Sequence, residues 1–343
     1  MGLIVVASER FVEHQTPPGH PESPERADVM DLVAAEWRKR RGEVVAPREA
    51  TVEQIARVHA EDYIARIAAT SGRAVALDPD TYTSPETYEI ARLAAGAAID
   101  VVERVMAGNR DRAFALVRPP GHHAERDRAM GFCFFNNVAV AAAHARTVGA
   151  RRVAIVDYDV HHGNGTQHSF EHDADILYVS THQFPYYPGT GAAREIGNGK
   201  GAGFTVNLPL EAGATADDYR LAFDDVIVPV LEQFGPDLIL ISAGFDAHER
   251  DPLGGMRLTT EAFAAMTATL RRVADQCCEG RIGAVTEGGY DLRALRDSLL
   301  TVIDVLGAEE TPSVGWPAKT GTASRGAVAV REATAALEEF WKF

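Results

Sequence analysis

Cysteine is scarce in this 343-residue chain, and the three present, Cys133, Cys277 and Cys278, form no CxxC pair. An odd, unspaced set argues against a disulfide framework and fits a reducing compartment. Long apolar runs are missing too: no stretch reaches about 18 uninterrupted apolar residues, so no membrane span is expected. The opening MGLIVVASERF has neither the basic segment nor the apolar length of a signal peptide, so a soluble, cytoplasmic protein is expected. Basic charge is in deficit, with 34 Lys and Arg against 49 Asp and Glu and a net charge of −15. A nucleic-acid surface is thereby disfavoured. The one basic cluster, Arg38-Lys39-Arg40-Arg41, reads as a solvated helix end. Internal repeats and linkers are also absent, which predicts one domain over residues 1–343.

What is present is a 46% hydrophobic chain that alternates strand and helix signals. Leu3–Ala7 reads as a first strand. Ser23-Pro24-Glu25 starts a helix with Met30, Val33 and Trp37 on its buried stripe, stopped at Gly42. Thr51 to Gln54 is a capping box opening a second helix to about Ala69, and Ser84-Pro85-Glu86 opens a third. Strands follow at Ala113–Val117, Val153–Val156, Ile176–Ser180, Asp237–Ser242 and Ile282–Thr286. Helical patterns occupy Asn137–Val148, Thr215–Phe234, Thr260–Cys278 and Leu292–Leu306. This order predicts an α/β fold, a single parallel sheet of about eight strands with helices on both faces. A surface excursion over 311–326 and a short helix over Glu332–Trp341 complete the chain.

The informative fact is where the polar residues fall. Each strand from Ala113 onward ends at its carboxyl side in His, Asp or Tyr set among glycines: His122 and His123, Asp157, Asp159 and His161, His182, Asp246, and Tyr290. Open α/β sheets bind ligands at the carboxyl ends of their strands, so these side chains gather on one sheet edge. Asp159, His161 and Asp246 supply three oxygen and nitrogen ligands and leave a position open, the arrangement of a catalytic zinc. Zinc so held lowers the pKa of bound water to ~7 and polarises a carbonyl. One of His122 and His123, backed by a carboxylate such as Asp157, can take a proton while its partner delivers one. The Tyr290 hydroxyl can donate to an oxyanion, and Gly131, Phe132 and Tyr187 offer flat walls for a narrow substrate. Together these describe metal-assisted amide hydrolysis.

The blocks RPPGHHAERDRAMGFCFFNNVAVAA, DYDVHHGNGT, PYYPGTG, SAGFDAHERDPLGG and EGGYDL, in that order, resemble the signatures of zinc-dependent histone deacetylases. The likeness is closest to class II and to the bacterial deacetylase and acetylpolyamine amidohydrolase group, on the arginase–deacetylase fold. It covers about residues 1–305, leaving 306–343 as a C-terminal excursion and helix.

The resemblance implies that Asp159, His161 and Asp246 bind zinc, whose water attacks the amide carbonyl. It implies that His123 acts as general base and acid with His122, that Asp157 and Asn164 hydrogen-bond this pair, and that Tyr290 stabilises the oxyanion. Asn164 stands where class I members have Asp. Gly131, Phe132 and Tyr187 match the acyl-lysine tunnel, with Tyr187 in place of a usual Phe. An inner potassium site would take Asp157, Asp159, His161 and Ser180, and an outer one Phe170, Asp173 and Ile176. Arg26 matches the arginine of the internal product channel, and Asp80 a rim aspartate that holds the substrate backbone. Leu253 stands where the polyamine-preferring class IIb enzyme has a glutamate; a leucine cannot pair with a second ammonium. The implied substrate is an acyl-lysine protein or peptide, with an acetylated polyamine as the alternative.

Two further readings compete. A dinuclear manganese ureohydrolase shares the fold, but Asp246-Ala247-His248 lacks its second carboxylate. A non-catalytic acyl-lysine binder has no need of His122, His123 and Tyr290. His14, His20, His59, His144, His168 and His172 have no partner pattern and read as surface or core residues. His162 reads as satisfying a backbone group, His182 as supporting the site from behind, His248 as lying outside the ligand set, and Cys133 as packing.

Overall fold

A computed structural model describes residues 2–108, 112–319 and 321–343. Eight strands form one sheet: β1 (Leu3–Val6), β2 (Glu43–Val45), β3 (Arg112–Ala115), β4 (Val153–Asp157), β5 (Ile176–Gln183), β6 (Thr205–Leu210), β7 (Leu238–Ala243) and β8 (Ile282–Thr286). Their order is β2-β1-β3-β8-β7-β4-β5-β6, and every pairing is parallel. Side chains alternate between faces along each strand. Ala154 and Val156 of β4 therefore join one apolar cluster with Ile239 and Ile241 of β7, while Val153 and Ile155 join another with Leu238 and Leu240. Both faces are covered, as parallel sheets require.

Helices α1 (Glu25–Lys39), α9 (Thr260–Cys277) and α10 (Leu292–Gly307) pack on the first face; α4 (Thr87–Met106) and α5 (Asn137–Thr147) pack on the second. Arg38 and Lys39 lie in the last turn of α1, where positive charge suits the helix dipole. Among the described residues no helix is long and apolar enough to cross a membrane.

The departures from the sequence expectations have local causes. The predicted helix from Thr51 to Ala69 is two pieces, α2 (Val52–Ile55) and α3 (Glu61–Ala68). Between them the Ala60 N–H donates to the Arg126 carbonyl and His59 Nδ1 sits 2.8 Å from the Glu125 carbonyl, so this segment is tied to the loop after β3. The unpredicted strands β2 and β6 are the sheet edges; one is three residues long and the other contains Pro209, which an edge strand tolerates. A short helix, α6 (Asn164–Phe170), follows directly on the glycine-bounded histidines. The predicted Thr215–Phe234 helix is α7 (Ala216–Ala222) and α8 (Val228–Phe234), joined by a π turn at Phe223–Ile227 just before Pro229. The last helix, α11 (Ser324–Leu337), begins eight residues earlier than predicted. It buries Ala329, Ala333 and Leu337 in the main core, and Thr320 of the preceding excursion lies outside the described residues.

Topology places the site. Neighbours β3, β8, β7 and β4 run in the same direction, so the loops leaving their carboxyl ends meet over the middle of the sheet. Those loops carry His122 and His123, Tyr290, Asp246, and Asp159 and His161 respectively.

Candidate active site

Asp159, His161 and Asp246 converge: one ligand atom from each lies within 4.8 Å of the others, and all three residues are buried. His161 Nδ1 is 3.2 Å from Asp159 Oδ1 and 3.1 Å from Asp246 Oδ2. The remaining carboxylate oxygens are tied to neighbouring loops. Val160 N–H donates to Asp246 Oδ1 at 2.8 Å, and Gly288 N–H donates to Asp159 Oδ2 at 2.8 Å. Two glycines make room for them. A Cβ at Gly244 would stand 2.1 Å from Asp159 Oδ2, and one at Gly288 would stand 2.1 Å from Asp246 Oδ2. Burial, and then the charge of Asp159, push Asp246 up to about 7. Two buried carboxylates this close need a proton or a cation between them. Oxygen and imidazole donors so arranged suit a divalent metal.

Beside this cluster lie His122 and His123, on a turn after Pro120 whose amides are fixed from below. The buried Glu287 Oε2 accepts from Gly121 N–H at 2.7 Å and from His122 N–H at 3.1 Å, and its Oε1 accepts from Ser242 Oγ–H at 2.9 Å. The two imidazoles have different backing. His122 Nδ1 is 3.0 Å from Asp157 Oδ2, which also accepts from the Tyr178 hydroxyl, and His122 Nε2 is 3.8 Å from Asp159 Oδ1. Burial opposes its charged form, but Asp159 and Asp157 outweigh that and push His122 up to about 10. His123 Nδ1 meets an uncharged partner, Asn164 Oδ1, at 2.8 Å. Burial, and then the charges of His122 and His161, hold His123 well below the usual imidazole range.

A narrow cavity of about 190 Å³ opens on the cluster, lined by His123, His161, Gly131, Phe132, Tyr187 and Tyr290, with Asp80, Tyr186 and Leu253 towards its mouth. Phe132 and Tyr290 meet edge to face at 5.8 Å, and Tyr187 meets His123 edge to face at 5.1 Å. Gly131 and Phe132 both adopt left-handed backbone, with φ of 56° and 68°. For Phe132 that is costly and is held by its N–H donating to Thr81 Oγ1 at 3.1 Å. Tyr290 is fixed by its N–H donating to Asp251 Oδ2 at 2.6 Å, and the Arg26 guanidinium lies 5.1 Å over its ring. Burial keeps its hydroxyl protonated, well above the usual phenol range.

Other sequence-selected residues lie further back. Arg26 is buried behind the tyrosine loop, donating to the Gly289 and Glu287 carbonyls and to Glu22. Asp157 and Ser180 are register partners on β4 and β5; Ser180 Oγ meets His182 Nδ1. Phe170, Asp173 and Ile176 bracket the turn from α6 into β5, where Asp173 N–H donates to the Phe170 carbonyl. His162 bonds side chains rather than a backbone group: Thr190 Oγ1 at 2.8 Å and Gln167 Oε1 at 2.9 Å. His248 stacks on Phe263, away from the cavity, and Cys133 is buried. Several residues were not legible in the sequence. Tyr186 stacks on His161 at 5.6 Å, and Asp251 and Glu287 hold site loops through their backbone amides. All six histidines read as partnerless have partners here, and two of them bear on the site. His20 packs against Phe132 at 4.8 Å, and His168 pairs with Glu125 at 2.9 Å.

A histone deacetylase-like amidohydrolase of Pseudomonas aeruginosa is 43% identical over 303 residues, 86% of this chain and 79% of its own length. Human polyamine deacetylase HDAC10 is 38% identical over 340 residues, 94% of this chain but 49% of the human protein. The crystal structure of the HDA15 HD domain superposes with a TM-score of 0.91 at 38% identity, covering 99% of this chain and 95% of that one. It shares the arginase–deacetylase architecture predicted from the motifs. Residues 20–306 match the family model of the histone deacetylase domain, and this chain belongs to the histone deacetylase family.

Proposed function

We propose that this protein is a zinc-dependent deacylase that hydrolyses the amide of acylated lysine side chains. The observation carrying this reading is that a buried Asp159–His161–Asp246 cluster and three proton-bearing groups, His122, His123 and Tyr290, converge at the base of one narrow cavity. The donors fit the ion: two carboxylates and an imidazole whose space depends on Gly244 and Gly288 having no side chain. Zinc held by these residues supplies a Lewis acid for the amide carbonyl and acidifies a water.

The protein groups then divide the proton work. With Nδ1 engaged by Asn164, His123 offers Nε2 to the cavity, and its depressed pKa keeps that nitrogen able to accept a proton from the attacking water. His122, held towards its charged form by Asp157 and Asp159, keeps a positive charge beside the developing oxyanion. A cation on Asp159 cancels part of the charge that raises His122. The proton taken by His123 then passes to the leaving lysine amine. Tyr290, a phenol that stays protonated, donates to the oxyanion. Gly131, Phe132 and Tyr187 enclose the methylene chain, and Asp80 at the rim accepts from the substrate backbone. Arg26 lines an exit for the acid product.

We further propose that potassium ions sit at an inner site of Asp157, Asp159, His161 and Ser180 and at an outer site of Phe170, Asp173 and Ile176. Leu253 at the mouth favours acyl-lysine over acetylpolyamine, since it offers no charge to a second ammonium. The deciding assay compares kcat/KM for acetyl-lysine peptide and N-acetylputrescine, with zinc and after chelation. Zinc-dependent turnover that favours the peptide is expected. Preference for the polyamine overturns the substrate, and turnover of neither overturns the reaction.

A further inference from the structure

Asn164 has an ambiguity that an aspartate in its place would not have. Its amide has two ends of nearly equal size, an acceptor and a donor, and turning it over exchanges them. With Oδ1 towards His123 Nδ1, the imidazole carries its proton on Nδ1 and leaves Nε2 free. With Nδ2 there instead, Nδ1 must accept, and the proton moves to Nε2 facing the cavity, which is the wrong placement for accepting another. Something must hold the amide one way round.

The surroundings of Asn164 Nδ2 answer this. Its acceptors are Glu125 Oε1 at 2.5 Å, the His123 carbonyl at 3.3 Å and Met130 Sδ at 3.5 Å. A carboxylate is the strongest of these, and an amide oxygen turned towards it would be repelled. Glu125 is anchored in turn: its side chain is 15% exposed, and His168 Nδ1 lies 2.9 Å from Oε1. Its loop is pinned to α6 and to the segment between α2 and α3. Thr166 N–H donates to the His122 carbonyl, a Cβ at Gly165 would stand 2.2 Å from the Ala124 carbonyl oxygen, and His59 meets the Glu125 carbonyl. An unbroken chain of polar contacts therefore runs from the surface at His168 through Glu125 and Asn164 to His123.

We infer that Glu125 is a positioning residue: its carboxylate fixes the orientation of the Asn164 amide and thereby places the proton of His123 on Nδ1. The inference rests on His123 being the proton acceptor of the proposed reaction. It gives the Asn164 and Glu125 pair a rule of charge. A neutral amide at 164 requires an acceptor at 125, whereas a carboxylate at 164 would face Glu125 in mutual repulsion and require a cation there.

The test is a double-mutant cycle on the full-length zinc-loaded protein with acetyl-lysine peptide, using Glu125→Lys, Asn164→Asp and both together. Glu125→Lys alone sets an ammonium against Nδ2 and turns the amide over, lowering kcat about a hundredfold with little change in KM, the scale of a lost general base. Asn164→Asp alone lowers kcat about tenfold through carboxylate repulsion. Together they restore kcat to within about tenfold of wild type, where independent effects would multiply to about a thousandfold. Glu125→Gln, which still offers an acceptor to Nδ2, retains kcat within about threefold. The imidazole ¹⁵N shifts of His123, read without substrate, move from the Nδ1–H to the Nε2–H tautomer in Glu125→Lys and return in the double variant. Multiplying effects, or an unchanged His123 tautomer in Glu125→Lys, overturn the inference. His123→Ala separates the two levels. If it keeps wild-type turnover, the proposed reaction falls and the inference with it. If it is inactive while the cycle multiplies, only the role of Glu125 falls.

Discussion

Replacing Gly288 by alanine tests the proposed metal centre with one added methyl group. Gly288 is not in the left-handed region, so alanine meets no backbone penalty there, and its N–H remains to donate to Asp159 Oδ2. The methyl would stand 2.1 Å from Asp246 Oδ2 and 2.7 Å from Asp159 Oδ2, contacts that real Cβ atoms do not make. Both atoms belong to carboxylates held by hydrogen bonds, so about 1 Å of displacement must come from the ligands themselves. Misplacement of that size costs about a hundredfold in rate, and a hundredfold loss of metal affinity is at the upper end of what ligand-support changes produce.

The consequence is measurable without turnover. At a free zinc concentration of about 100 times Kd, the wild-type protein gains about 2.7 kcal/mol of stability from its metal, whereas a site weakened a hundredfold gains about 0.4 kcal/mol. For a chain of this size that separates a zinc-dependent rise in Tm of about 4 °C from one below about 1 °C. Thermal unfolding with zinc and with chelator, beside zinc content by elemental analysis, reads both numbers. Gly315→Ala is the control, since a Cβ there has no heavy atom within 4 Å. Gly288→Ala that binds one zinc per chain, shows the full Tm rise and keeps its kcat would refute the assignment of Asp159 and Asp246 as metal ligands.

Three further outcomes are expected. Tyr290→Phe lowers kcat about a hundredfold with KM nearly unchanged, the cost of one oxyanion donor; an equal change in KM alone would place the hydroxyl in ground-state binding. His59 is held down to about 4 by burial, with Nδ1 donating to the Glu125 carbonyl and Nε2 accepting from Asn136 N–H. Between the unfolded value of about 6.5 and 4 the unfolded chain binds the extra proton, so stability falls as pH falls through that window, by up to about 3 kcal/mol. Urea unfolding should show this slope in the wild type and lose most of it in His59→Gln, which retains a donor and an acceptor. Leu337 of α11 is fully buried in the main core, so Leu337→Ala should cost about 3 kcal/mol. A Tm unchanged by it would show residues 306–343 to be dispensable to the folded unit.

Much of the site was legible because its chemistry sits in short blocks that each follow an apolar strand. Asp159 and His161 come two and four residues after Asp157, the last residue of β4; Asp246 comes three after β7, and Tyr290 four after β8. Knowing that parallel strands present such residues on one edge was enough to group them. Edge strands were not legible, because a three-residue strand and one containing Pro209 carry little pattern of their own. Nor was the break between α2 and α3, since the force that ends the helical pattern is a bond to the Arg126 region, more than sixty residues away.

The supporting residues were hidden for a deeper reason: they act across strands whose order the sequence does not print. Asp246, after β7, is oriented by an amide of the β4 loop, and Asp159, after β4, by an amide of the β8 loop. Glu287, after β8, holds the histidine turn that follows β3, and Asp251, after β7, holds the backbone of Tyr290 after β8. Each chemical group is thus fixed by a loop other than its own, and the fixing groups are backbone amides or carboxylates that any loop contains. The crosswise ties also explain how buried carboxylates are kept close at all. Most of their oxygens are satisfied from different parts of the chain, so neither can turn away to relieve the repulsion without leaving an amide unpaired. Preorganisation of the cluster is therefore a property of the strand order β3-β8-β7-β4, and a substitution that shifts one of these four strands should be felt at Asp159, His161 and Asp246 together.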